Sequence, residues 1–317
     1  MDFYQMKQIL TIAQTGSISE AAKLLCVSQP AVSHALAKAE QEFHTPLFDR
    51  TRYPLKPTYA GEQYIEAARK MLLIYSDLEK KCLDAAQGAG GQLRLGIPYN
   101  RSAQILPAII KEYRQMFPNV CLSYQTGPIL DMKEKLYSGS VDLLIFTQLE
   151  NDLRFRYEPL FEEELFAVSA QDIVQSAHLE PGSSNILRLS ALSQLPVLAA
   201  APRSGLGTMF RLLMEYYNIV PNVTLTVSGN NALYTLAEAG LGVAILPANV
   251  IRQSAPSPKL RLYSLSGRGI GWRVCAIFRR DAYISRAEQA LLTLIRNKFA
   301  AADGQLDLFP PFAAGGD

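Results

Sequence analysis

Histidine and cysteine are scarce and scattered in this chain. There are three histidines, His34, His44 and His178, and four cysteines, Cys26, Cys82, Cys121 and Cys275. None sits at the spacing of a zinc ligand pair or of a redox C-x-x-C, so neither a metal site nor a cofactor is expected. The thiols read as reduced and mostly buried, because a redox sensor wants a resolving partner and none is near in sequence. Long apolar runs are missing too. None approaches the roughly 20 residues that cross a bilayer. The N-terminus, M-D-F-Y-Q-M-K-Q, lacks the basic start and apolar middle of a signal peptide, so a cytoplasmic protein is expected. No G-x-S-x-G, H-E-x-x-H or P-loop is present. The G-A-G-G at 88–91 is followed by no Lys-Ser/Thr and reads as a joint. Net charge is only +2, which by itself advertises no nucleic acid.

What is present is enough for two or three domains: 317 residues, 49% hydrophobic and 19% charged, a globular composition. The chain is organised around residues 17–50. Ser17 followed by Glu20 is a capping box, and Ala21, Ala22, Leu24 and Leu25 supply a small apolar face. Ser28 reads as a second N-cap, with Pro30 in the first turn behind it. Val32, Ala35, Leu36 and Ala39 then recur at helical spacing as a buried stripe. The outward face holds Gln29, Ser33, His34, Ala37 and Lys38, small and polar as a DNA major groove requires. Spacing alone also allows an ordinary helical hairpin. The run L-F-D-R-T-R-Y-P-L-K-P-T that follows reads as a short hairpin with Arg50 and Arg52 near its tip, which makes a winged helix.

A-A-K-L-L-C-V-S-Q-P-A-V-S-H and P-L-F-D-R resemble the N-terminal domain of LysR-type transcriptional regulators, without a gap over about 3–61. The chain departs from that pattern at Phe43 and His44, where the family usually has Leu and Gly. His34 stands for a usual Arg or Lys, and Ala39 for a usual Leu. Histidine tolerates the left-handed conformation the glycine would adopt. The DNA-reading set is then Ser28, Gln29, Pro30, Ser33 and His34, with Lys38 on phosphate and Arg50 and Arg52 on backbone or minor groove. Residues 1–58 carry six basic and five acidic side chains, so one such domain binds DNA weakly and needs a partner copy.

Before that motif, residues 3–13 read as a helix with Phe3, Met6, Ile9, Leu10 and Ala13 on one face, ended by Gly16. After it, a long helix starts at Thr58 and is expected to reach Gln87. Tyr64, Ala68, Met71, Tyr75, Leu78 and Cys82 follow a heptad seam, the pattern of two helices wrapping round each other. At 1.5 Å per residue such a helix is about 45 Å long, enough to hold two winged helices apart. From residue 92 the rhythm becomes α/β. Strands are expected at 93–97, 120–126 and 141–146, with helices at 105–117 and 129–137. The order repeats with strands at 196–200, 223–227 and 243–246 and helices at 208–217 and 232–239. Segments 160–168 and 265–278 read as paired crossing strands, and a helix at 284–299 follows.

The expected fold is α/β: a winged helix-turn-helix over 1–58, a dimerisation helix and glycine hinge over 59–91, and a two-lobed Rossmann-like domain over 92–300. Lobe I takes about 92–162 and 268–300, lobe II about 163–267, and 301–317 is expected to be disordered. L-R-L-G-I-P, F-P-N-V, S-G-S-V-D-L-L-I and A-E-A-G-L-G-V-A-I-L-P resemble the same family more loosely. That implies an effector domain related in fold to periplasmic binding proteins, a tetramer of two dimers and an interrupted palindrome as DNA site. RNA polymerase is a candidate partner. Ligands of such sheets sit beyond the carboxyl ends of the strands. The effector-binding set is therefore Tyr99, Asn100, Arg101, Ser102, Thr126, Gly127, Thr147 and Gln148 from lobe I. Lobe II adds Arg203, Ser204, Gly205, Ser228, Gly229 and Asn230. Helix starts, hydroxyls and an arginine suit a small carboxylate. Asp142 reads as a turn or cap residue, and Gly240 and Gly242 as a helix cap and tight turn. The rival reading is a cytoplasmic small-molecule-binding protein or enzyme on the same two-lobe fold.

Overall fold

The computed structural model describes residues 2–51, 53–86, 90–255, 257–299 and 306–309. Arg52, Gln87, Gly88 and most of the 301–317 tail, on which expectations were placed, lie outside the described residues. The chain divides into two compact units, up to Gly88 and from Ala89 onward.

The first unit comprises α1 (Phe3–Thr15), α2 (Ile18–Leu24), α3 (Gln29–Glu42), a two-stranded wing β1 (Phe48–Asp49) and β2 (Lys56–Pro57), and α4 (Tyr59–Ala85). Short polar residues set the starts. Asp2 accepts from the Gln5 amide at 2.7 Å, Ser17 from that of Glu20 at 3.3 Å, and Thr58 from that of Gly61 at 3.0 Å. Ser28 occupies the N-cap position of α3, but its hydroxyl makes no cap bond. The core gathers Met6, Ile9, Ile12, Val32, Leu36, Ala39, Leu47, Phe48, Tyr64, Ile65 and Ala68. Two expectations shift by a helix face. Ile12 enters the core, whereas Phe3 lies outside it against Tyr75 of α4, ring centroids 4.5 Å apart. Leu24 is 66% exposed, because in so short a helix only Ala21 and Ala22 reach the core. His44 takes the left-handed backbone at φ 52°.

The second unit begins with β3 (Gly90–Gly96), α5 (Tyr99–Met116), β4 (Asn119–Gln125), α6 (Ile129–Tyr137), β5 (Leu143–Thr147) and the long β6 (Phe155–Ala170). Then come β7 (Val197–Ala200), α7 (Gly205–Tyr216), β8 (Val223–Val227), α8 (Asn230–Glu238), β9 (Val243–Pro247), α9 (Ala248–Gln253) and β10 (Leu260–Ser264). The last elements are β11 (Ile270–Arg279), α10 (Arg286–Phe299) and β12 (Asp307–Leu308). The sheet order is β4-β3-β5-β11-β6-β9-β7-β8. Strand β3 runs parallel to β4 and β5, and β7 runs parallel to β8 and β9. The antiparallel pair β6 and β11 joins the halves: β11 pairs with β5 over 274–277, and β6 with β9 over 165–168. Two lobes therefore share two crossing strands, each lobe with its own core.

Three expectations need correction here. Gly90 and Gly91 are not a linker; they open β3 and pair with Asn119 and Val120. Helix α5 starts at Tyr99, six residues early, so residues 99–102 form its first turn instead of a loop. The expected disorder of 301–317 fails at 306–309. Asp307 and Leu308 pair in parallel with Ile270 and Gly271, and Phe309 enters the lobe II core at 6% exposure. Its ring meets Tyr216 edge-on at 5.4 Å. Gly271 makes room for this strand, since a Cβ there would lie 2.6 Å from Leu306.

Candidate functional site

Helix α3 is amphipathic because Val32, Ala35, Leu36 and Ala39 fall on one stripe and are buried, Val32 and Leu36 completely. Gln5 of α1 reaches across and donates from Nε2 to the Ala35 carbonyl at 2.9 Å, fixing the rotation of α3. Ser28, Gln29, Pro30, His34 and Lys38 are then exposed, with Ser33 half-buried among them. The wing is tied to α3 by one carboxylate. Glu40 accepts from the Leu47 amide at 2.9 Å and from Arg50 Nη2 at 2.7 Å. Arg50, expected as a free backbone contact, is thus held by an acid, although its side chain stays 62% exposed.

The heptad seam of α4 splits into two parts. Tyr64 and Ala68 belong to the winged-helix core, at 7% and 2% exposure, and so are not free for a second helix. Phe43 packs edge-on against Tyr64 at 5.6 Å, and burial pushes the Tyr64 phenol up to about 12. Beyond residue 70 the apolar positions turn outward: Met71, Ile74, Tyr75, Leu78 and Cys82 are all exposed. The thiols are also mostly outside. Cys26, Cys82 and Cys121 are exposed and free, contrary to the expectation of buried thiols. Cys275 alone is buried, and burial raises its thiol to about 12.

In the two-lobed unit, α5 and α6 start just beyond the carboxyl ends of β3 and β4, and α7 and α8 beyond those of β7 and β8. Four helix N-termini, each with free backbone N–H groups, are placed at strand ends. Ser204 caps α7, accepting from the Gly207 amide at 2.9 Å, and a Cβ at Gly207 would drive into the Ala201 carbonyl. Tyr99, Thr126, Arg203, Gly205, Ser228 and Gly229 are exposed. Asn100, Gly127, Thr147, Ser204 and Asn230 are half-buried. Ser102 is buried at 5% and donates to the Tyr99 carbonyl at 2.7 Å.

Two predicted residues are not available to a ligand as they stand. Gln148 is buried at 8%; it donates to Asn151 at 2.6 Å and accepts from the Cys275 thiol at 3.4 Å. Arg101 is buried at 5%, and its Nη2 donates to Glu163 at 3.0 Å. A strand from elsewhere in the sheet covers each: β11 supplies Cys275 against Gln148, and β6 supplies Glu163 against Arg101. Asp142 is likewise more than a turn residue. It takes Arg94 Nε and Nη2, each at 3.0 Å, and the Arg94 amide at 2.8 Å, and so ties its loop to β3.

Glu163 is the residue that sequence reading missed. It sits in β6 inside the run Glu162-Glu163-Glu164, flanked by buried Phe161 and Leu165. Its Oε2 accepts from Arg101 and from Trp272 Nε1 at 2.8 Å, and its Oε1 from the Asn249 amide at 3.1 Å. Arg101 also stands over the Phe161 ring, 5.7 Å from its centre. One carboxylate therefore joins α5 of lobe I, α9 of lobe II and both crossing strands. The available signal was the acid itself: a charge at an inward position of an apolar strand needs a buried partner. Arg101 Nη1, Gln104 Oε1 and Asn249 Oδ1 are enclosed without hydrogen-bond partners among the described residues. Each such orphan costs about 1–3 kcal/mol.

Residues 3–62 match the family profile described as "Bacterial regulatory helix-turn-helix protein, lysR family", and residues 86–300 match "LysR substrate binding domain". The HTH-type transcriptional regulator TfdS of Cupriavidus pinatubonensis is 28% identical over 250 residues, 79% of this chain and 83% of that protein. Among solved structures, a full-length OxyR variant from Pseudomonas aeruginosa superposes with a TM-score of 0.69 at 21% identity, over 93% of this chain and 98% of its own. Full-length CbnR in complex with its target DNA superposes at 0.57 with 21% identity, over 95% and 100%. At these identities the structural likeness is one of fold.

Proposed function

The chain belongs to the LysR family of bacterial helix-turn-helix regulators, and on that premise we propose how its own residues read DNA and sense an effector. It is a transcriptional regulator with an effector-binding domain, and we read it as acting in the cytoplasm and not as an enzyme. Gln29, Pro30, Ser33 and His34 face the major groove, and Lys38 a phosphate. Arg50, just after β1, and Arg52, two residues on in the sequence, are the candidates for DNA backbone or minor groove. Met71, Ile74, Tyr75, Leu78 and Cys82 supply the dimer seam, and paired dimers span an interrupted palindrome. A bidentate Gln–adenine pair is worth about 1–3 kcal/mol of discrimination. Gln29→Ala is therefore expected to lose preference for the operator while keeping non-specific binding. Lys38→Ala weakens binding on every sequence and lowers the salt slope by about 1. Operator affinity unchanged in Gln29→Ala would remove α3 from this role.

The effector we infer is a small carboxylate held between the lobes. The observation that supports it is the set of four helix N-termini at strand ends, with the exposed Arg203 one residue ahead of the α7 cap. Positive helix ends with a guanidinium fork favour a carboxylate over a neutral ligand. Ser102, Thr126, Thr147, Ser204, Ser228 and Asn230 add polar groups around them. A thermal-shift screen of metabolites tests this, since ligand at a hundred times Kd stabilises by about 2.7 kcal/mol. A carboxylate that stabilises wild type but not Arg203→Ala supports the site. A hit that is neutral or cationic and indifferent to Arg203→Ala refutes it. Arg101→Ala is a poor probe here, because it breaks a buried ion pair.

A further inference from the structure

Glu163 divides its carboxylate between the two lobes. Oε2 serves Arg101 and Trp272, while Oε1 serves the Asn249 amide at the start of α9. Arg101 donates to Glu163 through Nη2, and its Nη1 has no acceptor among the described residues. A guanidinium prefers a bidentate carboxylate, with two parallel N–H···O bonds. Glu163 gives Arg101 one oxygen only, and its other oxygen accepts from the α9 backbone. The half-buried pair of Arg94 and Asp142 differs. Asp142 takes Arg94 through two nitrogens, and both residues lie in lobe I. Arg101 stands in the first turn of α5, next to Asn100, whose carbonyl accepts from Gln253 of α9 at 3.3 Å. The same turn thus touches the lobe II helix twice, once directly and once through Glu163.

We propose that the Arg101–Glu163 pair is a charge lock on the angle between the lobes, which an anionic effector opens by taking Arg101 away from Glu163. A bidentate ligand carboxylate satisfies both Nη groups, which Glu163 does not. Once deprived of its cation, Glu163 keeps only the neutral donors Trp272 and Asn249, and its burial as a charge becomes costly, which favours rearrangement of its contact with α9. Binding beside α5 thereby favours one lobe arrangement over another, as an effector must. The lock stands on its own geometry; only the opening step rests on the carboxylate reading.

Trp272 is the one tryptophan of the chain, and its indole donates to the locking carboxylate, so its emission reports the lock directly. In the full-length protein without ligand, Glu163→Gln is expected to shift Trp272 emission. It should also lose amide-exchange protection in the first turns of α5 and α9, with the strands of both lobes still protected. Arg94→Gln should leave α9 untouched. Unchanged α9 protection in a folded Glu163→Gln overturns the lock. Arg101→Lys keeps the charge without the fork and should keep α9 protected, yet lose the response to carboxylates. This keeps the lock testable if Glu163→Gln does not fold. Sodium acetate and sodium succinate, exchanged for chloride at constant ionic strength, are expected to move wild-type Trp272 emission toward that of Glu163→Gln. They should not move Glu163→Gln further. Carboxylates that raise the wild-type Tm without moving this emission overturn the opening step and leave the carboxylate reading intact. Lost α9 protection in Glu163→Gln with no carboxylate binding wild type supports the lock and overturns the carboxylate reading.

Discussion

Arg101 and Arg203 are the nearest thing to equivalent residues in the two lobes. Each follows the first parallel strand of its lobe and lies within a turn of the start of the next helix. Arg101 is buried and ion-paired, whereas Arg203 is exposed. The difference comes from about one helical turn. Arg101 is the third residue of α5 and lies where β6 passes, while Arg203 precedes the α7 cap and is exposed. Position in a strand–helix unit thus proposes a charge for ligand binding, and what crosses that unit decides whether the charge is free.

The largest effect should separate these two arginines. Arg101→Ala leaves Glu163 buried without its cation, and breaking such a pair costs about 3–5 kcal/mol. Arg203→Ala, at an exposed position, should change stability by less than about 0.5 kcal/mol. Urea unfolding of both variants checks this, and equal losses would erase the distinction.

A second contrast separates the lobes by their terminal strand. Phe309 is buried in the core of lobe II alone, and Phe309→Ala is expected to cost about 3 kcal/mol. Amide exchange should show the loss in β7, β9 and α7 and spare α10. Faster exchange in both lobes equally would mean that β12 braces the whole unit.

The smallest effect sharpens the reading of the glutamate run. Glu164, next to Glu163, has its carboxyl raised by burial, although a hydrogen bond from Ser264 at 3.2 Å pulls the other way. Its folded-state pKa lies above the unfolded one, so the stabilising protonated form is fully present below the unfolded pKa and lost as pH rises through the folded pKa. Glu164→Gln should therefore gain stability at neutral pH and gain nothing in acid. Partial exposure screens the effect to about 0.5 kcal/mol. A gain that persists unchanged at low pH would assign it to packing instead of charge.

The winged unit was legible because its signals are local. Ser17, Pro30, the 32-35-36-39 stripe and the left-handed His44 each act within one turn of the chain. The α/β order of the larger unit was legible for the same reason, through runs of buried strand residues such as 143–146 and 243–247. Boundaries were less so. Helix α5 begins six residues before its expected start, and the seam of α4 changes from core to surface near residue 70 without a break in its heptads.

By itself, then, the sequence determined most of the elements, their order and the face that α3 turns outward, but not α9 or β12. Hydrophobic periodicity and caps are properties of neighbouring residues. Only the tertiary structure decided which polar groups are free. Arg101 meets Glu163 across 62 residues, Trp272 meets it across 109, and Cys275 meets Gln148 across 127. No local pattern carries those pairings, because a buried charge is satisfied by whichever strand the fold brings past it.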